Sequence, residues 1–344
     1  MPRPRPIPLN FFAIPFGLLG LADCWLVAAN FDLAPVTVGR VVVAVAVIAW
    51  IVVGFTHLRG VRAQRITLGD ELADPIAGPF ASLAVTTPML AAADALYPLD
   101  HSAGVVVVDA GIVLTVLVAG WFTGQWIYRP LEFAKVHPGY FLPSVAGGLV
   151  ASASAGLVGQ LGLAQVLFGL GIVNWIVLGS IILGRLLLGP PLAVALTPTM
   201  AIEVAPAAVA TFAAFVMDGH RVNTVIRLLA GYGLMMVIAQ LRLLPAYLRL
   251  PFMPSFWAFT FSWAAVTFAG LFWLGVTRPT GWRVESYVAL ALTSAFIGAI
   301  AVRTAVALRR GQLLPSPAMM MPAAPNSSSR EIDSARLTDA EASL

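Results

Sequence analysis

Charge is what this sequence is short of. Only 10% of its 344 residues are Asp, Glu, Lys or Arg, against roughly 25% in a soluble globular domain, while 59% are hydrophobic. That scarcity excludes a water-facing surface over most of the chain. Cysteine is nearly missing as well: Cys24 stands alone, which excludes an intrachain disulfide, and its place inside an apolar run reads as a packed thiol. The four histidines, His57, His101, His137 and His220, never come at close metal-ligand spacing, so no metal site is expected. A G-x-x-x-x-G-K-[ST] run is lacking, which speaks against an ATP-driven pump encoded in this chain. No nucleophile and base stand at recognisable spacing, so the sequence points to neither an enzyme nor a cofactor.

What the chain has instead is apolar runs, several of them near the roughly 20 residues that cross about 30 Å of hydrocarbon. Read against charges and turn residues, they predict ten membrane spans at about 10–30, 36–56, 76–97, 104–126, 139–160, 164–184, 191–216, 222–244, 253–276 and 284–307. The fold class is therefore an all-α integral membrane protein. Arg3 and Arg5 before the first run look like the start of a secretory signal, but the run over 10–29 exceeds a signal core and is read as a retained helix. Residues 1–310 form the membrane domain in this reading, and 311–344, with Pro315, Pro317, Pro322 and Pro325, a disordered cytoplasmic tail. The formal charge of +4 does not mark a nucleic-acid partner, because the basic residues sit singly between apolar segments, where they orient helices and meet lipid headgroups. With the N-terminus inside, 12 cations fall on the cytoplasmic side, among them Arg59, Arg62, Arg65, Arg129, Lys135 and Arg185. Only Arg40, Arg221, Arg227, Arg278 and Arg283 fall on the other. Both termini are thus expected in the cytoplasm.

Proline divides the spans. Pro15, Pro79, Pro88, Pro143, Pro191, Pro198, Pro206 and Pro254 lie within or at the start of odd spans, and the predicted interiors of even spans hold none. Proline frees backbone polar groups, and in a bilayer such backbone is tolerated only where protein or a water-filled cavity surrounds it. The odd spans are therefore predicted to form an inner ring and the even spans an outer, lipid-facing one. Five sequential hairpins would generate that arrangement.

The odd spans also carry hydroxyls that a solute can meet: Thr87, Ser144, Thr197, Thr199 and Ser262. Each can equally bond the preceding turn of its own helix. Four acids fall within spans. Glu203 and Asp23 are candidates for a proton- or charge-sensitive role, with a helix-tying role as the alternative, while Asp94 and Asp109 sit shallowly enough for interfacial solvation. No Arg, Lys or His falls near the midplane of an odd span, so any anion path should bind weakly, which suits conduction better than concentrative capture.

The words Phe12-Ala-Ile-Pro-Phe-Gly-Leu-Leu-Gly-Leu-Ala22 with Trp25, Pro138-Gly-Tyr-Phe-Leu-Pro143, Pro198-Thr-Met-Ala-Ile-Glu-Val-Ala-Pro206 and Phe256-Trp-Ala-Phe-Thr-Phe261 fall in order on odd spans. In these the chain resembles the tellurite-resistance and C4-dicarboxylate transporter family, which includes the slow-type anion channels of plants. The resemblance covers about residues 8–307. It implies a homotrimer with a pore in each protomer, five hairpins around a quasi-fivefold axis, and closure of the pore by the phenylalanine matching Phe261. The solutes it implies are chloride and nitrate, or related oxyanions. Candidate lining or kink positions are Phe12, Pro15, Phe16, Thr87, Pro88, Phe141, Pro143, Ser144, Thr197, Pro198, Thr199, Pro206, Phe212 and Ser262. The plant channels have proline after the gating phenylalanine where this chain has Ser262. The alternative functions are a proton-coupled carrier of dicarboxylates such as malate or of oxyanions, using Glu203 or Asp23, and a non-transporting receptor or structural protein. A bacterial-type inner membrane is the expected location.

Overall fold

The computed structural model describes residues 7–129 and 131–313; Arg3, Arg5 and the expected tail beyond Leu313 lie outside them. Among the described residues, ten helical segments are long and apolar enough to cross a membrane. The odd ones are Leu9–Asn30 (span 1), Gly78–Leu96 (span 3), Pro138–Leu157 (span 5), Thr197–Met217 (span 7) and Pro254–Thr277 (span 9). The even ones are Val36–Gln64 (span 2), His101–Tyr128 (span 4), Leu161–Leu188 (span 6), Thr224–Tyr247 (span 8) and Trp282–Arg309 (span 10). The chain divides into two compact units, residues 1–303 and 304–344, and the packing described here is that of the first.

The two classes differ in how their helices begin. Every odd span opens with a 3₁₀ segment: Leu9–Phe12, Gly78–Ser82, Pro138–Phe141, Thr197–Val204 and Pro254–Phe256. Proline stands in the first positions of four of these, where a missing N–H costs nothing. Spans 3 and 5 each include a π turn, over Ala92–Leu96 and Leu142–Ala146. The even spans are uninterrupted α-helices, and spans 4 and 8 start on side-chain caps, Asp100 accepting from the Ala103 amide and Asn223 from that of Ile226.

Three boundaries differ from the sequence expectation. Span 2 runs on to Gln64 instead of stopping near 56, because a helix leaving the bilayer has no reason to end where its apolar face does; Arg65, at φ 57°, ends it. Span 7 begins at Thr197 instead of 191, since the Pro190-Pro191 pair holds the chain out of helix and the Pro190 carbonyl is taken by Arg185 Nη1 at 2.6 Å. Span 8 continues to Tyr247 and includes Pro245, so the even set does carry one proline, in a last turn that the sequence boundary had cut off.

In the 18-residue core of each odd span 61–83% of residues are buried, against 17–33% in the even spans. Span 1 packs on span 3, span 3 on span 5, span 5 on span 7, span 7 on span 9, and span 9 returns to span 1. Each even span lies against the odd span before it: 2 on 1, 4 on 3, 6 on 5 and 8 on 7, with span 10 tied to span 9 by the buried Thr267–Thr293 hydroxyl bond of 2.6 Å. Single hydrogen bonds fasten other pairs, Trp50 Nε1 to the Ala84 carbonyl (2.9 Å), Ser152 Oγ to that of Ala164 (2.8 Å) and Gln240 Nε2 to that of Met200 (2.8 Å). In hydrocarbon such bonds matter because apolar burial gives helices no preference for each other over lipid. Spans 1 and 9 approach most closely. A Cβ on Gly17 would collide with Thr260 Oγ1, and one on Gly20 would come within 2.9 Å of Ala264 Cβ and 3.0 Å of the Phe261 ring.

Candidate functional site

Between the odd spans lies a cavity of about 40 Å³ to which all five contribute. Span 1 supplies Ala13 and Phe16, span 3 Phe80 and Leu83, and span 5 Phe141, Leu142, Ala146 and Leu149. Span 7 supplies Ile202, Ala205, Pro206 and Val209, and span 9 Trp257, Ala258, Phe261 and Ser262. Spacings of three and four put each set on one helix face. The Phe261 ring lies over that of Phe16, centroids 3.8 Å apart and planes at 20°, and meets Phe268 edge-on at 6.3 Å. The wall is hydrocarbon apart from Ser262, whose hydroxyl donates to the Ala258 carbonyl at 2.8 Å. With a water needing about 10–15 Å³ of such space and two to four polar partners, the cavity cannot hold a hydrated ion.

Of the residues singled out in the sequence, Phe16, Phe141, Pro206, Phe261 and Ser262 meet at this cavity. Phe212 is buried farther along span 7, its ring 5.0 Å from that of Phe268. Pro15, Pro143, Pro198 and Thr199 are buried in the inner spans without lining the cavity, and Thr197 is half-buried at the start of span 7. Phe12 turns to span 2 and packs edge-on against His57 at 5.8 Å. Thr87 and Pro88 face an apolar groove shared with Trp50 and Val43 of span 2. Hydroxyls mostly satisfy themselves: Thr87 donates to Leu83, Thr197 to Ala193 and Thr199 to Leu196, at 2.6, 3.2 and 2.6 Å. Ser144 Oγ is buried without a partner. Sequence reasoning sought hydroxyls, prolines and motif aromatics and so passed over Phe80, Leu83, Leu142, Leu149, Ile202 and Val209; the recurring three- and four-residue apolar spacing on the odd spans was the signal that marked them.

The acids divide. Glu203 is buried, does not line the cavity, and lies close enough to span 8 for its charge to bear on Tyr247 and Tyr232; its Oε1 has no hydrogen-bond partner. Asp23 of span 1 and Asp94 of span 3 lie close enough for each carboxyl group to bear on the other, and Asp94 Oδ2 is buried without a hydrogen-bond partner. Asp109 accepts a 2.8 Å bond from Gln160 Nε2.

At the start of span 5, His137 is fully buried, and its Nδ1 accepts from the Gly139 amide at 3.1 Å. Burial pushes its pKa down to about 4, with the nearby Arg185 adding to the effect and the carbonyls of Ile76 and Pro75 and the charge of Asp74 opposing it. Arg185, also buried, donates to the carbonyls of Pro190 and Ala134. Within span 2, His57 Nε2 lies 3.3 Å from a carboxyl oxygen of Glu71, and after the span Thr67 and Asp70 form a reciprocal cap whose bonds hold the Asp70 carboxyl below its usual value.

Comparison with known proteins agrees with this architecture. Residues 6–305 match the voltage-dependent anion channel family. Over 311 residues the chain is 28% identical to a tellurite resistance protein TehA homolog of Haemophilus influenzae, a match that covers 90% of this chain and 93% of the relative.

Proposed function

We infer the function of this chain from the family it belongs to, the voltage-dependent anion channels, and from the closed apolar cavity at Phe261. The reading is a gated channel for small monovalent anions such as chloride and nitrate, or related oxyanions. Five hairpins surround a quasi-fivefold pore in each protomer of a homotrimer, seated in a bacterial inner membrane with both termini cytoplasmic and a tail over 311–344. The unbroken circuit of contacts through spans 1, 3, 5, 7, 9 and back to 1 supports the pore, and the excess of cations on one side supports the orientation.

The observation that carries the gate is the Phe261 ring stacked on Phe16 in the wall of the closed cavity. Moving a bare ion from water into a medium as apolar as this wall costs on the order of 20 kcal/mol in the idealised limit, so the passage is shut while the ring stays. Displacing it admits water, and a hydrophobic constriction of this kind opens by wetting. Glu203 is not among the residues that line the cavity. The test is current through purified protein in planar bilayers. Phe261→Ala should raise chloride and nitrate conductance above wild type, and unchanged conductance in a normally folded variant rejects the gate.

A second reading, proton-coupled transport, is favoured by the Asp23–Asp94 contact. It requires malate or oxyanion accumulation driven by a pH gradient and lost in Asp23→Asn. Flux that only follows the anion's own gradient removes it.

A further inference from the structure

The five odd spans all run outward in this reading, so one step of seven residues along each compares the same pair of levels in all of them. In an α-helix that step advances about 10.5 Å and leaves a residue only about 20° from its starting direction. From the cavity residues Phe16, Leu83, Leu149, Ala205 and Phe261, the step reaches Asp23, Leu90, Gly156, Phe212 and Phe268. In each case both ends lie within a single α-helical stretch. The second set therefore forms the next level of the same inner face.

That level is filled. Phe268 is 1% exposed, Leu90 2%, Asp23 4% and Phe212 6%, and Val216 occupies the space beside Gly156, where an added Cβ would come within 2.7 Å of it. The rings of Phe212 and Phe268 pack edge-on at 5.0 Å. Phe268 reaches Phe261 on one side, and Phe212 reaches Phe272 on the other at 5.8 Å. Phe261 is in ring contact with this level through Phe268, and span 1 adds a buried acid to it.

We propose that Phe268 and Phe212, with Asp23 at their level, form a second closure about two helical turns outside Phe261, in series with it, so that conduction requires both aromatic levels to clear. Phe268 and Phe212 exclude water by the same means as Phe261. Asp23, paired with Asp94 of span 3, sets how strongly the outer level resists a small inorganic anion. This rests on the channel reading above but makes a separate claim about the outer half of the path.

Barriers in series have a distinctive signature. Phe268→Ala alone should leave wild-type conductance unchanged, because Phe261 still shuts the path. Phe261→Ala should give a modest rise, and Phe261→Ala with Phe268→Ala a further rise of tenfold or more. Phe212→Ala in the Phe261→Ala background repeats the test from another helix should the Phe268 variant fail to fold, as judged by its elution and melting in detergent. Adding Asp23→Asn to the Phe261→Ala variant should raise chloride current several-fold. Double variants no more conductive than Phe261→Ala overturn the outer closure and leave the Phe261 gate standing. A silent Phe261→Ala with a conducting double variant means that either level alone shuts the path, which upholds the outer closure, whereas double variants as silent as wild type reject both. Conductance from Phe268→Ala alone contradicts the series arrangement.

Discussion

The inner and outer helices of this protein are both apolar, the outer ones more so on the whole, and they do opposite things with that character. The outer spans are plain: long uninterrupted α-helices, mostly exposed, several of them fastened to inner spans by single side-chain hydrogen bonds. The inner spans are irregular at their starts, buried on nearly all sides and crowded. Lipid explains the difference. An outer helix must satisfy its own backbone along its whole length, whereas an inner one is surrounded by protein and can carry prolines, 3₁₀ starts and π turns. Those irregularities rotate successive stretches of each inner helix, and so decide which side chains reach the cavity.

The largest effect that separates the two classes should come from adding bulk. Gly17→Leu drives a side chain into Thr260 and Trp257, at the contact that seats the helix carrying Phe261. Overpacking of this kind costs about 1–3 kcal/mol or more, so the variant should melt well below wild type in detergent. Gly120→Leu on outer span 4, where an added Cβ meets nothing within 4 Å, should melt with wild type. Equal losses at the two positions would erase the distinction between crowded inner and open outer helices.

How much of this division could be read from the sequence depends on what the reading needed to know. Proline placement marked the odd-even alternation because it is a local feature; the Phe261–Phe16 stack, which joins spans 9 and 1, is not, and Phe261 was singled out only through the family resemblance. The direction of Glu203 was illegible for a specific reason: it lies in the 3₁₀ stretch Thr197–Val204, which turns about 120° per residue where an α-helical wheel assumes 100°. The error accumulates over the stretch and changes which neighbour a residue faces. Thr87 sits in ordinary α-helix beside Pro88, yet it faces the groove beside span 2, and only the packing of a helix against its neighbours chooses between its faces. The same holds for the Asp23–Asp94 contact, which joins residues 71 apart in the chain.

A smaller effect tests the burial of the inner ring at the start of span 5. The buried His137 imidazole, with its pKa near 4 against about 6.5 when unfolded, is held neutral by the fold. Because the folded value is the lower one, the unfolded chain binds more protons between these values. Stability is therefore complete above about pH 6.5 and falls as the pH drops towards 4, by about 3 kcal/mol at most. Melting temperatures in detergent should show this slope in wild type and lose most of it in His137→Asn, whose carbonyl still accepts from the Gly139 amide. His101→Asn, at the exposed start of outer span 4, serves as the control and should keep it. An identical slope in all three proteins would remove His137 as the source.

The smallest effect concerns the seam between the classes. The Thr267–Thr293 bond is buried between spans 9 and 10, and hydrogen bonds between helices in a bilayer average about 0.6 kcal/mol because the separated helices also find partners. Thr293→Val should lower stability by about that amount, and Thr267→Val by a similar one. In the double variant the two losses should fall short of additivity, since each removes the same bond. Span 9 carries Phe261 on its inner face and Thr267 on the seam with span 10, so the pair should also report on whether outer helices influence the gate. If they only brace it, the valine variants leave conductance at its wild-type level while lowering stability. A conductance that rises with loss of the hydroxyl bond would make span 10 part of the gating apparatus, and the division into working inner helices and supporting outer ones would no longer hold there.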